Sequence, residues 1–205
     1  DNTEEGWMRT RGEVLDHFSR EPIAGAQVWE ESAPESPVTT DNDGAFSISL
    51  VEDQWQNLVA SAQDKTPTLI PIDTTTQSTA SDGISLSLMS EVQLGNLYYY
   101  VWAGEQKTEH STLIISLRDL NGGNATGAKV TLESDHDGVM SVGMMAGTKT
   151  DTLQEGDQSM VFFNALPSEE EVAFLASSKE GVPCNGPETI ALRADTITMA
   201  VYYCP

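Results

Sequence analysis

Histidine, cysteine and clustered carboxylates most often hold metals or move protons, and this chain uses them sparingly. His17, His110 and His136 stand apart in the sequence, and no His-x-His, His-Glu-x-x-His or Cys-x-x-Cys spacing occurs, so the zinc patterns are missing. No Gly-x-Ser-x-Gly elbow and no glycine-rich phosphate loop occurs either. Two acidic turns, DNDG from Asp41 and DHDG from Asp135, make Asp41, Asp43, Asp135 and Asp137 calcium candidates. Calcium takes six to eight oxygens, and neither turn has the twelve-residue loop or the closing glutamate of a dedicated site. Asp-Gly turns are also ordinary hairpin chemistry, and that reading is preferred. His136, Met140, Met144 and Met145 are ligand types that suit Cu(I). The alternation of Met140, Val142 and Met144 instead fits a strand with one face in a core, where methionine fills irregular gaps. Asn124 opens an Asn-Ala-Thr glycosylation sequon on an expected loop. No cofactor follows from these patterns.

The two cysteines, Cys184 and Cys204, are expected to pair. VPCNGP reads as a turn broken by Pro183, Gly186 and Pro187, and TITMAVYYC reads as a final strand that can run back past it. A pair late in the chain and outside any metal spacing favours a disulfide over free thiols.

The elements that position these side chains show themselves through repetition. PIAGAQVWE (22–30) and ATGAKVTLE (125–133) both carry Gly-Ala-x-Val after a polar turn. Each follows a strand that ends in an aspartate, Asp16 or Asp119, placed to cap the turn with its side chain. Gly25 and Gly127 fall where the chain enters the next strand, where glycine permits positive φ or close backbone approach. Downstream, TTDNDGAFSI matches KTDTLQEGDQSMVFF, setting Asp41, Gly44 and Phe46 against Asp151, Gly156 and Val161 with Phe162, and each stretch reads as a hairpin with an acidic glycine turn. LVASAQDKTP matches FLASSKEGVP, and SDGISLSL matches ADTITMAV. Matches in the same order read as two copies of one β-module. The expected fold is all-β: two tandem seven-stranded Greek-key-type sandwiches over 8–90 and 111–205, with a linker over 91–110.

The pattern GEVLD, EPIAGAQVWEE, TTDNDGAFSISL resembles the carboxypeptidase regulatory-like domain, a transthyretin-like sandwich, over most of 9–89. The second copy is similar but more divergent. The resemblance implies an accessory module of secreted or cell-surface proteins and no catalysis of its own. It also extends to pilin-type B repeats, some of which form Lys–Asn isopeptide bonds from a lysine in the first strand. Glu13 and Arg118 stand in the first strands here, so no such bond is expected. Intradiol dioxygenases use the same sandwich and ligate iron through tyrosines and histidines. Tyr98, Tyr99, Tyr100, Tyr202 and Tyr203 have no paired histidines beside them, which disfavours iron.

Between the copies, LMSEVQLGNLYYYVWAGEQ reads as a short helix, with Ser90 and Gln93 as a capping box and Gly104 beyond its end. Val92, Leu97 and Tyr100 or Val101 would share its apolar face. Its aromatics are expected to wedge between domains. The alternative is an exposed platform for a sugar or partner, in which Tyr98, Tyr99, Tyr100, Trp102 and also Trp55 would bind ligand. The stretch after it, AGEQKTEH, is expected to be a cleavable connection.

Charge narrows the partners. Thirty-two acids against 10 bases give a net charge of −22, which repels nucleic acid and anionic membrane surfaces. No run of apolar residues is long enough to span a bilayer. The polar opening DNTEEG looks like a processed start, and a cysteine just before Asp1 would supply a lipid anchor. These features set the expectation of a secreted, periplasmic or cell-surface protein, not an enzyme, serving as a scaffold or interaction module with a protein or polysaccharide partner. The alternative is a carbohydrate- or peptide-binding module that uses sandwich-end loops or the aromatic segment.

Overall fold

The computed structural model describes residues 6–75, 83–143 and 146–205. Within these the chain is predominantly β, with one short helical segment, and it divides into two compact units, 1–91 and 92–205.

The first unit holds β1 (Trp7–Asp16), β2 (Gln27–Glu30), β3 (Val38–Thr39), β4 (Ala45–Val51), β5 (Trp55–Ser61), β6 (Thr68–Asp73) and β7 (Ile84–Leu88). β1 pairs antiparallel with β4 and parallel with β7. β2 pairs antiparallel with β3 and β5, and β5 pairs with β6. Alternate residues of both sheets meet in one core, with Val14, Phe46, Ile48, Leu50 and Leu86 from one and Val28, Leu58 and Ala60 from the other. This is the period-2 burial that alternating sequence dictates.

The second unit holds β8 (Ser111–Asp119), β9 (Lys129–Leu132), β10 (Gly138–Val142), β11 (Gly147–Lys149), β12 (Ser159–Ala165), β13 (Val172–Ser177), β14 (Thr189–Ile190) and β15 (Ile197–Cys204). β8 pairs antiparallel with β12 and parallel with β15, as β1 does with β4 and β7. β9 pairs with β13 in the register that β2 adopts with β5: Val28 lies opposite Ala60, and Val130 opposite Ala176. The units differ where β10 and β11 form a hairpin beside β12, so the second unit has eight described strands where seven were expected. The counterpart of β3 shrinks to a single bridge between Lys129 and Thr152.

The doubled Gly-Ala-x-Val has a shared physical cause. Gly25 (φ +73°) and Gly127 (φ +88°) sit in the left-handed region, where a Cβ is costly. Each glycine N–H donates to a carbonyl across the loop, Gly25 to Thr40 and Gly127 to Leu153. Thr40 and Leu153 donate back to Ala26 and Ala128, whose small side chains are buried. Asp16 Oδ1 accepts from the N–H groups of Phe18 and Ser19, and Asp119 Oδ1 from those of Asn121 and Gly123. Both aspartates thus close their turns.

Two of the sequence matches slip. Met160, not Val161 or Phe162, is the counterpart of Phe46, because Met160 lies opposite Ile115 as Phe46 lies opposite Gly12. Cys204, not Val201, is the counterpart of Leu88, because it lies opposite Asp119 as Leu88 lies opposite Asp16. A three-residue slip reverses the face of a strand, and Val201 is indeed exposed where Leu88 is buried.

The segment 92–110, expected as a linker, groups with the second unit. Helix α1 (Glu91–Asn96) runs into a π-helical turn over Leu97–Trp102. Leu94 and Tyr98 are its buried residues, while Val92 and Tyr100, expected on the apolar face, are exposed. Tyr98 and Trp102, four residues apart, fall on one side of the segment and meet the same neighbour, Phe163. The left-handed residue at its end is Ala103 (φ 57°), one before the expected Gly104.

Candidate functional site

The aromatic segment divides into an inward and an outward pair. Tyr98 packs edge-on to Phe163 at 5.0 Å, and Trp102 stacks on the same ring at 5.0 Å. Lys149 Nζ lies 4.9 Å from the Trp102 ring centroid, a cation–π contact. Gly138 makes room for the indole, since a Cβ there would lie 2.5 Å from Trp102 Cη2. Phe163 faces away from the core that Phe162 enters, so this segment covers the outer face of β12. That cover explains why β8 and β12 are nearly continuous apolar runs without polar alternation. Tyr98, being buried, is not part of an exposed platform. Tyr99 and Tyr100 are 71% and 73% exposed and meet edge to face at 4.8 Å. Trp55, at the start of β5, is 44% exposed.

Beneath the segment lies a polar hub that the sequence did not advertise. Asn164 is buried, sits at a β-bulge between β12 and β8, and has a left-handed backbone (φ 51°). Its N–H donates to the Tyr98 hydroxyl at 3.1 Å, and that hydroxyl also bonds Thr112 Oγ1 at 2.9 Å. Asn164 Oδ1 accepts from the Lys107 N–H, while Nδ2 donates to the Glu105 carbonyl and to Asp137 Oδ2, each at 2.9 Å. Asp137 Oδ1 holds Lys107 Nζ at 2.6 Å. The lysine and asparagine donors hold the Asp137 carboxyl below the usual carboxylate range. Burial raises the Tyr98 phenol above its ordinary value. The stretch after the helix, expected to be readily cleaved, is tied at Glu105, Lys107 and also Glu109, whose N–H donates to Asp195.

The acidic turns are engaged in structure. Asp41 Oδ1 accepts from the N–H groups of Asp43 and Ala45 and closes a turn; β3 and β4 on either side of it pair with β2 and β1, so the turn does not close a hairpin. Both oxygens of Asp137 bond the protein, and the Asp135 carbonyl accepts from the Leu166 N–H. His136 Nδ1 bonds the Ser134 carbonyl at 2.8 Å, and its ring lies edge-on to Phe162 at 5.1 Å. Met140 and Val142 are buried, but it is Val139 of β10 that packs against the core of the second unit. Met140 instead shares the covered side with Val101, since a Cβ on Gly147 would lie 2.9 Å from one and 2.7 Å from the other. Met144 and Met145 fall outside the described residues. Among the described residues, no three of His, Cys, Asp and Glu converge as a metal-ligand set. Asn124 donates its amide to the Asp157 carbonyl and accepts from Arg118.

Cys184 and Cys204 are disulfide-bonded, with Cα atoms 4.2 Å apart, tying the turn after β13 to the end of β15. Beside the bond is an open groove of about 270 Å³ lined by Asp119, Asn124, Thr126, Lys179, Cys204 and Pro205 among others. Next along β15, Tyr202 donates to the Pro187 carbonyl at 2.6 Å, and burial pushes its phenol well up. Tyr203 is half exposed on the other face. In the first unit, Asp16 Oδ2 pairs with Lys65 Nζ at 2.5 Å. His17 Nδ1 is buried without a hydrogen-bond partner among the described residues. Burial, with Arg20 adding to it, holds this imidazole below its ordinary value.

No protein-family model matches the chain, and no curated protein matches it. No helix among the described residues is long and apolar enough to cross a membrane.

Proposed function

We propose that the chain is an exported, non-catalytic protein built from two copies of one transthyretin-like β-sandwich module, working as a surface scaffold or interaction module. The observation that carries this reading is the matched hydrogen bonding of the Gly25–Thr40–Ala26 and Gly127–Leu153–Ala128 crossings, with the same strand pairings around each. A module of this kind resembles the carboxypeptidase regulatory-like domain, whose usual role is accessory. The polar groups best suited to chemistry, Asp41, Asp137, His136 and Asn164, are engaged in holding turns and the bulge. The disulfide supports an oxidising compartment, in line with a secreted, periplasmic or cell-surface protein, and a lipid anchor upstream of Asp1 fits the same setting.

Tyr99 and Tyr100, together with the groove beside the disulfide, favour a second reading in which the module binds carbohydrate or peptide. The test is to offer the purified chain a panel of glycans and peptides, reading binding and product formation together. Saturable binding without new products is expected. Time-dependent product formation would overturn the non-catalytic reading. Binding lost in Tyr99→Ala/Tyr100→Ala would select the aromatic pair.

A further inference from the structure

The outer face of the β4–β1–β7 sheet has a charge opposite to that of the chain. Along β1, Trp7, Arg9, Arg11 and Glu13 face out, while Met8, Thr10 and Val14 face in. Opposite them on β4 are Val51, Ser49, Ser47 and Ala45, and β7 presents Ser85 and Ser87. Arg20, from the loop after β1, lays its guanidinium over this face, donating to Ser87 Oγ at 2.9 Å and Ser85 Oγ at 3.4 Å. Arg9 donates Nε to Ser47 Oγ at 2.9 Å, which fixes its stem and leaves its terminal fork clear. Three of the chain's 10 basic residues therefore lie on one sheet face. Glu13 is the only acid among the outward positions of these strands, in a chain with 32 acids. Among the described residues, the ion pairs formed include none with Arg9, Arg11 or Arg20.

We infer that this face binds an acidic polysaccharide, with Arg9, Arg11 and Arg20 holding sugar carboxylates and Trp7 stacking on a sugar ring. The inference rests on the reading of the chain as an interaction module with a polysaccharide partner. Guanidinium forks match carboxylates bidentately, and alternate β1 positions repeat every ~6.6 Å along a flat surface, which suits an extended polymer with spaced charges. Serine hydroxyls between the arginines match sugar hydroxyls. Trp7 is 39% exposed, enough to offer a ring face at the end of the row. Charge density decides against nucleic acid. A duplex carries a charge every ~1.7 Å, and the net −22 opposes it far more than a polymer with one carboxylate per sugar. At physiological salt the screening length is about 8 Å, so a bound polymer feels the local arginines more than distant acids.

The experiment is calorimetric titration of the full chain, at constant moderate salt, with polygalacturonate, neutral dextran and polyglutamate. Arg9→Ser/Arg11→Ser, Trp7→Ala and Tyr99→Ala/Tyr100→Ala are run alongside, each checked for its fold by circular dichroism. The wild type should bind polygalacturonate and not dextran. The arginine pair variant should bind on the order of tenfold or more weakly, Trp7→Ala should bind more weakly, and the tyrosine pair variant should match the wild type. No binding of polygalacturonate, or equal binding by the arginine variant, overturns the inference. Polyglutamate binding as tightly as polygalacturonate overturns the choice of a glycan. Binding of polygalacturonate lost in the tyrosine variant but kept in the arginine variant overturns the sheet face while leaving the interaction-module reading intact. Shortening of the polymer overturns that reading instead.

Discussion

Asn164 is the residue whose replacement tells most about the second unit. Asn164→Ala removes three side-chain hydrogen bonds, to Lys107 N, Glu105 O and Asp137 Oδ2. At about 1 kcal/mol net for each bond, the loss is about 3 kcal/mol. The backbone at φ 51° adds about 1 kcal/mol against alanine, which tolerates the left-handed region less well than asparagine. Asn164→Gly loses the same bonds but not the backbone cost, so it should be the more stable of the two by about 1 kcal/mol. For a unit of this size, 3 to 4 kcal/mol lowers the melting temperature by roughly 10 °C or more. The assay is calorimetric melting, with hydrogen-exchange mass spectrometry on peptides covering 92–110, where the Lys107 N–H and the Glu105 carbonyl lose their side-chain partner. Exchange there should rise in both variants while peptides of the first unit stay unchanged. A loss below about 1 kcal/mol, or alanine and glycine variants of equal stability, would refute the account of the bulge.

Other expectations follow the same logic. Cys184→Ser/Cys204→Ser, whose bond spans a separation of 20 residues, should cost about 3 kcal/mol in the chain-entropy model, read by urea unfolding. Two alkylated thiols in the unreduced, denatured wild type would contradict the bond. Gly138→Ala drives a methyl against Trp102 and should destabilise by about 1–3 kcal/mol; Trp102→Ala in the same background should relieve the clash. Burial holds the His17 imidazole below its ordinary value of about 6.5, so its contribution is full above that pH and is lost as pH falls from there through its folded value. Asp137 is held below 3.8, so its contribution is full above pH 3.8 and is lost below it. Unfolding curves taken across both ranges should lose less stability near neutral-to-mildly-acid pH in His17→Gln, and less in the acid range in Asp137→Asn, than the wild type does.

Much of the fold was legible because its turns and strand faces are written locally. Gly25 and Gly127 mark a left-handed entry to a strand, and the alternation of Ala26 with Val28 and of Ala128 with Val130 fixes which face is buried. The alignment of LVASAQDKTP with FLASSKEGVP places Ala60 against Ala176, and the structure gives these the equivalent partners Val28 and Val130. Alignment failed at the last strand, because alternation alone does not fix register: ADTITMAV fits SDGISLSL as a pattern, yet hydrogen bonding places Cys204 opposite Asp119. β10 was legible as a strand from Met140 and Val142, but its pairing with β11 and β12 was not, because alternation does not name a partner. The aromatic segment misled through its face: Leu94 and Tyr98, four residues apart, are the buried pair, and the expected face of Val92 and Tyr100 is exposed. Asn164 was illegible because its partners sit at 98, 105, 107 and 137, and FFNAL reads as plain strand. The arginine face was latent in the spacing of Arg9 and Arg11, but Arg20 joins it only through the fold.

The central claim, one module written twice, is tested most directly by amide exchange resolved at single residues. The N–H groups of Ile23, Gly25 and Thr40 in the first unit correspond to those of Ala125, Gly127 and Leu153 in the second. Nuclear magnetic resonance exchange on the intact chain should find all of them protected, each member of a pair slowed by a similar factor relative to its own unit's core strands. Gly127 and Leu153 exchanging at the rate of an open chain, while Gly25 and Thr40 stay protected, would contradict it.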